Sequence, residues 1–252
     1  VNDGRFSIQE LPDAAAVGER AAELFFALGA QAQRARGRFS VALAGGSSPK
    51  PMHRSLTERA PPAEFNWSQV DVFFGDERAA PPDSPQSNYG NAREQLLERV
   101  AIDPARVHPM RAWETDLEAS ARAYEQELQQ ACGPGGALDL LVMGVGEDAH
   151  ILSLFPGCPL IDDDGGSLVA ALRDPPMNPA LSRLTLTPTA LRRARCTMVL
   201  FVGAKKRDAY TALRHAHGAA LRSPVALLHG ISADSRVFLL VDHAAAALEP
   251  SP

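Results

Sequence analysis

The sequence predicts an α/β protein, with a mostly parallel sheet and helices on both of its faces. Three observations predict it. Apolar runs at Phe39–Ala44, Leu138–Met143 and Cys196–Val202 have the length and composition of strands buried on both sides. Stretches with helical spacing separate them, and the alternation of strand and helix implies parallel pairing. Glycines and charged clusters follow the strands directly, and in such folds ligands bind at the carboxyl ends of strands. At 252 residues and 45% apolar, the chain can build one large domain over 1–252, with or without a small extra lobe.

In order, residues 1–12 read as a lead-in strand in which Phe6 and Ile8 alternate. Asp13 caps a helix from Ala14 to Arg36, because its carboxylate can accept from the open N–H groups of the first turn. Gly37 stops that helix. Strand Phe39–Ala44 runs into Gly45-Gly46-Ser47-Ser48-Pro49-Lys50, and Pro49 suits a helix start continuing through Met52 to Arg59. Strand Val70–Gly75 ends at Asp76-Glu77-Arg78, followed by a polar loop to Ser87 and a helix from Asn88 to Val100. Val107–Met110 reads as a short strand and Leu117–Cys132 as an amphipathic helix. After Leu138–Met143, a second apolar run covers Ile151 to Phe155. Further strands are read at Leu168–Leu172, Arg183–Thr187, Val225–Leu228 and Val237–Val241. Short helices follow Thr187 and Gly203, to about Arg193 and His217, and Ala244–Pro252 reads as a frayed tail.

A net charge of −5 and a pI near 5.8 argue against nucleic acid as partner, since that needs a broad basic surface. The three cysteines, Cys132, Cys158 and Cys196, are widely spaced and read as reduced thiols. Val1–Leu11 lacks the pattern of a signal peptide. No apolar run reaches the roughly 20 residues of a membrane span. A cytoplasmic protein, off the membrane and monomeric or homodimeric, is expected. Asp162-Asp163-Asp164 does not match a calcium-loop spacing and reads as a solvated turn.

Four strand ends carry chemistry. Gly45 to Ser48 form an anion cradle, with glycines allowing close backbone approach and N–H groups at a helix start favouring negative charge. It lacks the G-K-[ST] ending of a nucleotide loop. Asp76-Glu77-Arg78 ends the second strand. The central stretch, LDLLVMGVGEDAHILSLFPG (138–157), places Asp148 and His150 after a glycine turn. Lys205 and Lys206 end a further strand. Each motif alone also fits an ordinary turn or a solvated helix start; their recurrence at strand ends favours a shared site.

Four segments carry a family resemblance: LAGGSSPK (43–50), VFFGDERAAPPDSPQSNYGNA (72–92), LVMGVGEDAHILSLFPG (141–157) and RLTLTPTALRRAR (183–195), followed by VGAKKRDA. Together they resemble the 6-phosphogluconolactonases, hydrolases of the oxidative pentose phosphate pathway. The resemblance covers roughly Phe39 to Leu213. It implies a fold similar to glucosamine-6-phosphate deaminase and ribose-5-phosphate isomerase. S-L-F-P-G, and D-E-R followed by S-N-Y-G, point to the lactonase branch, because the deaminases carry F-N-E-P-G and D-E-Y there. The implied reaction is hydrolysis of a sugar-phosphate lactone without cofactor or metal. His150 is the candidate general base, and Asp148 orients its ring. Gly45, Gly46, Ser47 and Ser48 would hold the phosphate with Arg78, Arg183 and Lys206, and Asp76 joins the substrate-binding set. Lys206 is preferred to Lys205 because the family's lysine lies three residues after the glycine. Two positions depart from the family pattern: Ala149 stands where glycine is usual and Ile151 where threonine is. Ser153 reads as a capping or packing residue, since no nucleophile elbow surrounds it. The alternatives are an isomerase or deaminase of the same fold, and a sugar-phosphate-binding homologue without catalysis.

Overall fold

The computed structural model describes residues 6–162, 165–176, 180–215 and 223–247. Among these, strands form two sheets. The larger has six parallel strands in the order β1-β9-β8-β5-β2-β3. These are β1 (Phe6–Leu11), β2 (Phe39–Leu43), β3 (Val70–Phe74), β5 (Leu140–Gly144), β8 (Cys196–Phe201) and β9 (Arg236–Asp242). Every residue of β2, β3 and β8 is buried, so both faces of the sheet are covered.

The helices start and stop where local chemistry directs. Helix α1 (Ala14–Arg36) is capped by Asp13, whose Oδ1 accepts from the Ala16 N–H at 2.9 Å. It ends at Gly37, which adopts φ 71° and donates its N–H to the Gln33 carbonyl. Beneath α1 lies an aromatic cluster in which Phe25 meets Phe39 at 5.2 Å between ring centroids and Phe65 meets Trp67 at 5.1 Å. Helix α2 (Lys50–Glu58) follows the glycine loop, and α4 (Leu117–Cys132) is capped by Asp116.

The expected mostly parallel sheet is accompanied by a second, smaller one of three strands. Asp76-Glu77-Arg78 is not a loop but a short strand, β4, which pairs antiparallel with β7 (Arg183–Leu186); β7 in turn pairs with β6 (Val169–Leu172). Gly75 joins the two sheets, donating its N–H to Leu43 and accepting from Leu186. Glu77 is wholly buried because four donors answer its carboxylate: the N–H groups of Arg78, Asn88 and Tyr89 at 2.8 Å and the Ser87 hydroxyl at 3.0 Å.

Other boundaries differ as well. Val225–Leu228 lies in a 3₁₀ helix, Pro224–Gly230, rather than a strand. Val107 makes one bridge to Val72 and no strand. Helix α3 (Asn88–Gln95) is capped by Ser87, ends before Val100 and gives way to a 3₁₀ turn at Leu97–Arg99. The run Ile151–Phe155 is a closed turn, with Ile151 bridging Val145 and Leu154. Helix α5 (Pro188–Arg193) is short as expected, α6 (Arg207–Arg214) stops before His217, and α7 (His243–Ala246) forms where a frayed tail was expected, because Asp242 caps it. His217, the residues from 248 onward, Asp163 and Asp164 lie outside the described residues.

Two histidines tie stability to pH. His53 is buried on α2, and burial lowers its pKa to about 4 despite a bond to Gln95. Burial also opposes charge on His108, but Asp71 and Glu127, each 3.5 Å from one ring nitrogen, outweigh it and raise the pKa to about 9. The His53 pKa is depressed on folding, so its contribution is intact above about 6.5 and is lost as pH falls toward 4. That of His108 is complete below about 6.5 and is lost as pH rises toward 9. Calorimetry from pH 7 to 4 should show a loss of up to roughly 3 kcal/mol that His53→Gln removes. Parallel profiles for the two proteins would contradict this.

Candidate active site

The carboxyl ends of β2, β5 and β8, with the second sheet beside them, enclose a cavity of about 210 Å³. Every candidate from the sequence except Asp148 lines it. From the first loop come Gly45, Gly46, Ser47 and Ser48; from the second sheet come Asp76, Arg78 and Arg183; His150 and Lys206 complete it. Asp148 reaches the site through His150.

The glycine loop has a physical reason for each of its glycines. Gly46 adopts φ 81°, which only glycine takes without strain. A Cβ on Gly45 would overlap the Asn88 side chain at 1.8 Å. Beyond the loop, α2 begins with neither a side-chain cap nor an acidic residue in its first turn. The positive end of its dipole is therefore left for another anion.

On the opposite wall, His150 Nδ1 lies 2.5 Å from Asp148 Oδ1, which also accepts the His150 N–H at 3.2 Å. This bond assigns the proton to Nδ1 and leaves Nε2 as the acceptor. The pair sits directly over Gly146, where a Cβ would meet the imidazole at 2.1 Å and the carboxylate at 2.4 Å. The His150 ring also packs on Phe155, with centroids 4.6 Å apart, and the Arg183 guanidinium lies 5.4 Å from the same ring.

Ala149 keeps the left-handed turn that glycine would make. Its φ is 63°, its N–H bonds to Gly146 and its carbonyl accepts from Val225. Ile151 is fully buried, so its side chain serves the core.

Charge is unevenly divided. Buried Arg183 lies 3.4 Å from Asp76 Oδ2 and 3.3 Å from Ser153 Oγ, and Ser153 donates to the same carboxylate at 2.6 Å. Burial lowers the Arg183 pKa, and Asp76 opposes the shift. Arg78 donates to the Gln86 carbonyl at 2.7 Å. Burial likewise lowers the Lys206 pKa, with Glu147 and Asp148 pulling it back up. Lys205 instead pairs with Glu147 at 3.1 Å. Lys206 follows Gly203, whose N–H is held at 2.7 Å by Asp242.

Two residues hold places in the site that the sequence does not assign them. Asn88 lines the cavity and donates to the carbonyl and side chain of Asp76. Ser153, wholly buried, locks Asp76 to Arg183. The S-N-Y-G segment that carries Asn88 was visible; nothing in the sequence joined Ser153 to a residue 77 positions away.

By fold and cavity the chain falls among open α/β proteins whose site lies at the carboxyl ends of parallel strands. More narrowly, it belongs to the glucosamine-6-phosphate isomerase/6-phosphogluconolactonase family, whose model matches residues 12–237. A 6-phosphogluconolactonase of Mycobacterium tuberculosis is 38% identical over 97% of this chain and 99% of its own length. The 6-phosphogluconolactonase structure from Trypanosoma brucei, 27% identical, superposes with a TM-score of 0.82 over 96% of this chain and 98% of that one. A monomeric glucosamine-6-phosphate deaminase at 21% identity shares the fold, with a TM-score of 0.78 over 95% and 98%. The resemblance drawn from the four segments holds at the level of the family. Among the described residues, no helix is long and apolar enough to cross a membrane.

Ala149 in a left-handed conformation costs about 1–2 kcal/mol, against the extra unfolded freedom of glycine, roughly 0.5–1 kcal/mol. Ala149→Gly should therefore raise the melting temperature by about 2–4 °C. A scanning fluorimetry trace with an equal or lower midpoint would contradict the assigned strain.

Proposed function

We propose that this chain hydrolyses 6-phospho-D-glucono-1,5-lactone to 6-phosphogluconate in the cytoplasm, acting as one lactonase domain without cofactor. The observation that carries the reading is one cavity lined by His150, whose ring Asp148 holds, by the glycine loop and by Arg78, Arg183 and Lys206. Relatives named 6-phosphogluconolactonase support it.

In this reading the phosphate sits on the Gly45–Ser48 loop at the amino end of α2, with Arg78 and Lys206 as counter-charges. Arg183, already held by Asp76 and Ser153, and Asp76 itself position the sugar. Fixing the phosphate places the lactone carbon beside His150 and turns remote binding energy into rate. Nε2 of His150 takes a proton from water, whose oxygen forms a bond to the lactone carbonyl carbon. Asp148 stabilises the imidazolium. The cationic lining stabilises the charge on the carbonyl oxygen. When the ring C–O bond breaks, the imidazolium returns its proton to the departing oxygen, leaving the open-chain acid. The buried Ser153 hydroxyl, bound to Asp76 at 2.6 Å, is a poor nucleophile and stays outside this scheme.

The test generates the lactone in place with glucose-6-phosphate dehydrogenase and follows acid release above the spontaneous rate. His150→Asn should keep the fold and lower kcat by about 10²–10⁴-fold; unchanged turnover would remove His150 from the mechanism. Arg78→Ala should raise KM for the phosphorylated lactone at least tenfold more than for gluconolactone, about 1.4 kcal/mol of phosphate-specific binding. Equal effects on both substrates would count against the cradle. Turnover of glucosamine 6-phosphate or ribose 5-phosphate in place of the lactone would favour the isomerase or deaminase alternative.

A further inference from the structure

The parallel sheet has a second edge, at the amino ends of its strands, which the reaction above does not use. Neighbouring strands begin there with charged residues: Arg236 opens β9, Arg195 precedes β8, Asp139 precedes β5 and Arg38 precedes β2. The last turns of α1 and α5 bring Arg36, Arg192 and Arg193 to the same edge. Two adjoining hollows of about 340 and 490 Å³ open among these side chains and share Arg36, Asp139 and Arg195. Among the described residues that line them, six arginines stand against two acids, Asp139 and Asp234, in a chain of net charge −5.

Part of this cluster has an ordinary cause. The negative end of a helix dipole attracts cations, which accounts for Arg36, Arg192 and Arg193. The same cause accounts for Arg38, which donates to the Ala131 carbonyl in the last turn of α4 at 2.6 Å, but not for Arg195 and Arg236, which lie outside the helices. Like charges gathered this closely repel one another, and an anion bound among them would offset that repulsion. The cluster is also organised from within. The buried Asp139 carboxylate accepts the Ser40 N–H at 2.9 Å and the Ser40 hydroxyl at 3.2 Å on Oδ2. Through Oδ1 it pairs with Arg36 at 2.7 Å and Arg195 at 3.3 Å. The clamp aligns both guanidinium groups while each stays about two-fifths exposed. Each guanidinium has five N–H donors in a fork that suits phosphate oxygens.

We propose that this edge is a second anion site, which takes a small molecule carrying a di- or triphosphate group. The larger hollow falls within the roughly 300–1,000 Å³ of small-molecule sites. The arginines are spread over two hollows, so a chain of phosphates can engage several of them where a single phosphate engages few. A free oligophosphate and a nucleoside triphosphate share this chemistry.

Isothermal titration calorimetry of the whole chain with inorganic tripolyphosphate and with ATP, in metal-free buffer, tests the site. Saturable binding of either ligand is expected, weakening steeply with salt. Arg195→Gln/Arg236→Gln should lower that affinity at least tenfold, whereas Arg78→Ala/Lys206→Ala, at the opposite edge, should leave it unchanged. Equal affinities for the two ligands assign the site to the phosphate chain, and tighter ATP binding assigns it to a nucleotide; both outcomes uphold it. No saturable binding, or binding lost in the Arg78/Lys206 variant and kept in the Arg195/Arg236 variant, would overturn it.

Discussion

A carboxylate taken wholly out of water must be met by donors, and this constraint shapes the corner on which the site is built. Two oxygens of Glu77 receive four hydrogen bonds from Arg78, Ser87, Asn88 and Tyr89. Burial raises its pKa, and the same four bonds hold the rise in check. Those bonds tie a short strand to the start of α3 across a nine-residue loop. They thereby fix Asp76 and Arg78 on either side of Glu77, and Asn88 against Gly45. Removing one partner would leave a buried charge poorly answered, which is far more costly than losing a surface ion pair.

The histidine wall follows a different rule, that of close approach. Gly146 leaves the space the imidazole and the Asp148 carboxylate occupy, and Ala149 takes a backbone conformation that favours glycine. Phe155 then gives the ring an apolar surface shared with Arg183. An imidazole whose orientation is set by a turn, a carboxylate and an aromatic face needs little rearrangement to act as the proposed general base. Charge sorting is similarly local: Lys205 is occupied by Glu147, which leaves Lys206 on the cavity.

Much of this was legible in the sequence because it rests on local signals. Strands buried on both faces appear as apolar runs, and Asp13, Gly37 and Thr187 mark helix boundaries by their own chemistry. The strand ends that carry polar clusters also converge on one cavity. What stayed hidden depends on distant partners. Asp76-Glu77-Arg78 reads as a polar strand end lining a cleft, but its pairing with β7 and its hydrogen bonds from the 87–89 turn come from distant chain. Val225–Leu228 is an apolar run too short for periodicity to separate strand from helix, and Pro224 started a 3₁₀ helix instead. Ser153 is polar in sequence and buried in the fold, because Asp76 and Arg183 meet it there.

The central claim is that one hexose phosphate spans the cavity from the glycine loop to the imidazole. A crystal structure with 6-phosphogluconate bound tests it most directly. The account predicts the phosphate within hydrogen-bond distance of the Gly45–Ser48 backbone and of Arg78 or Lys206, and the C1 carboxylate beside Nε2 of His150. A phosphate seated away from that loop, or a carboxylate out of reach of His150, would contradict it.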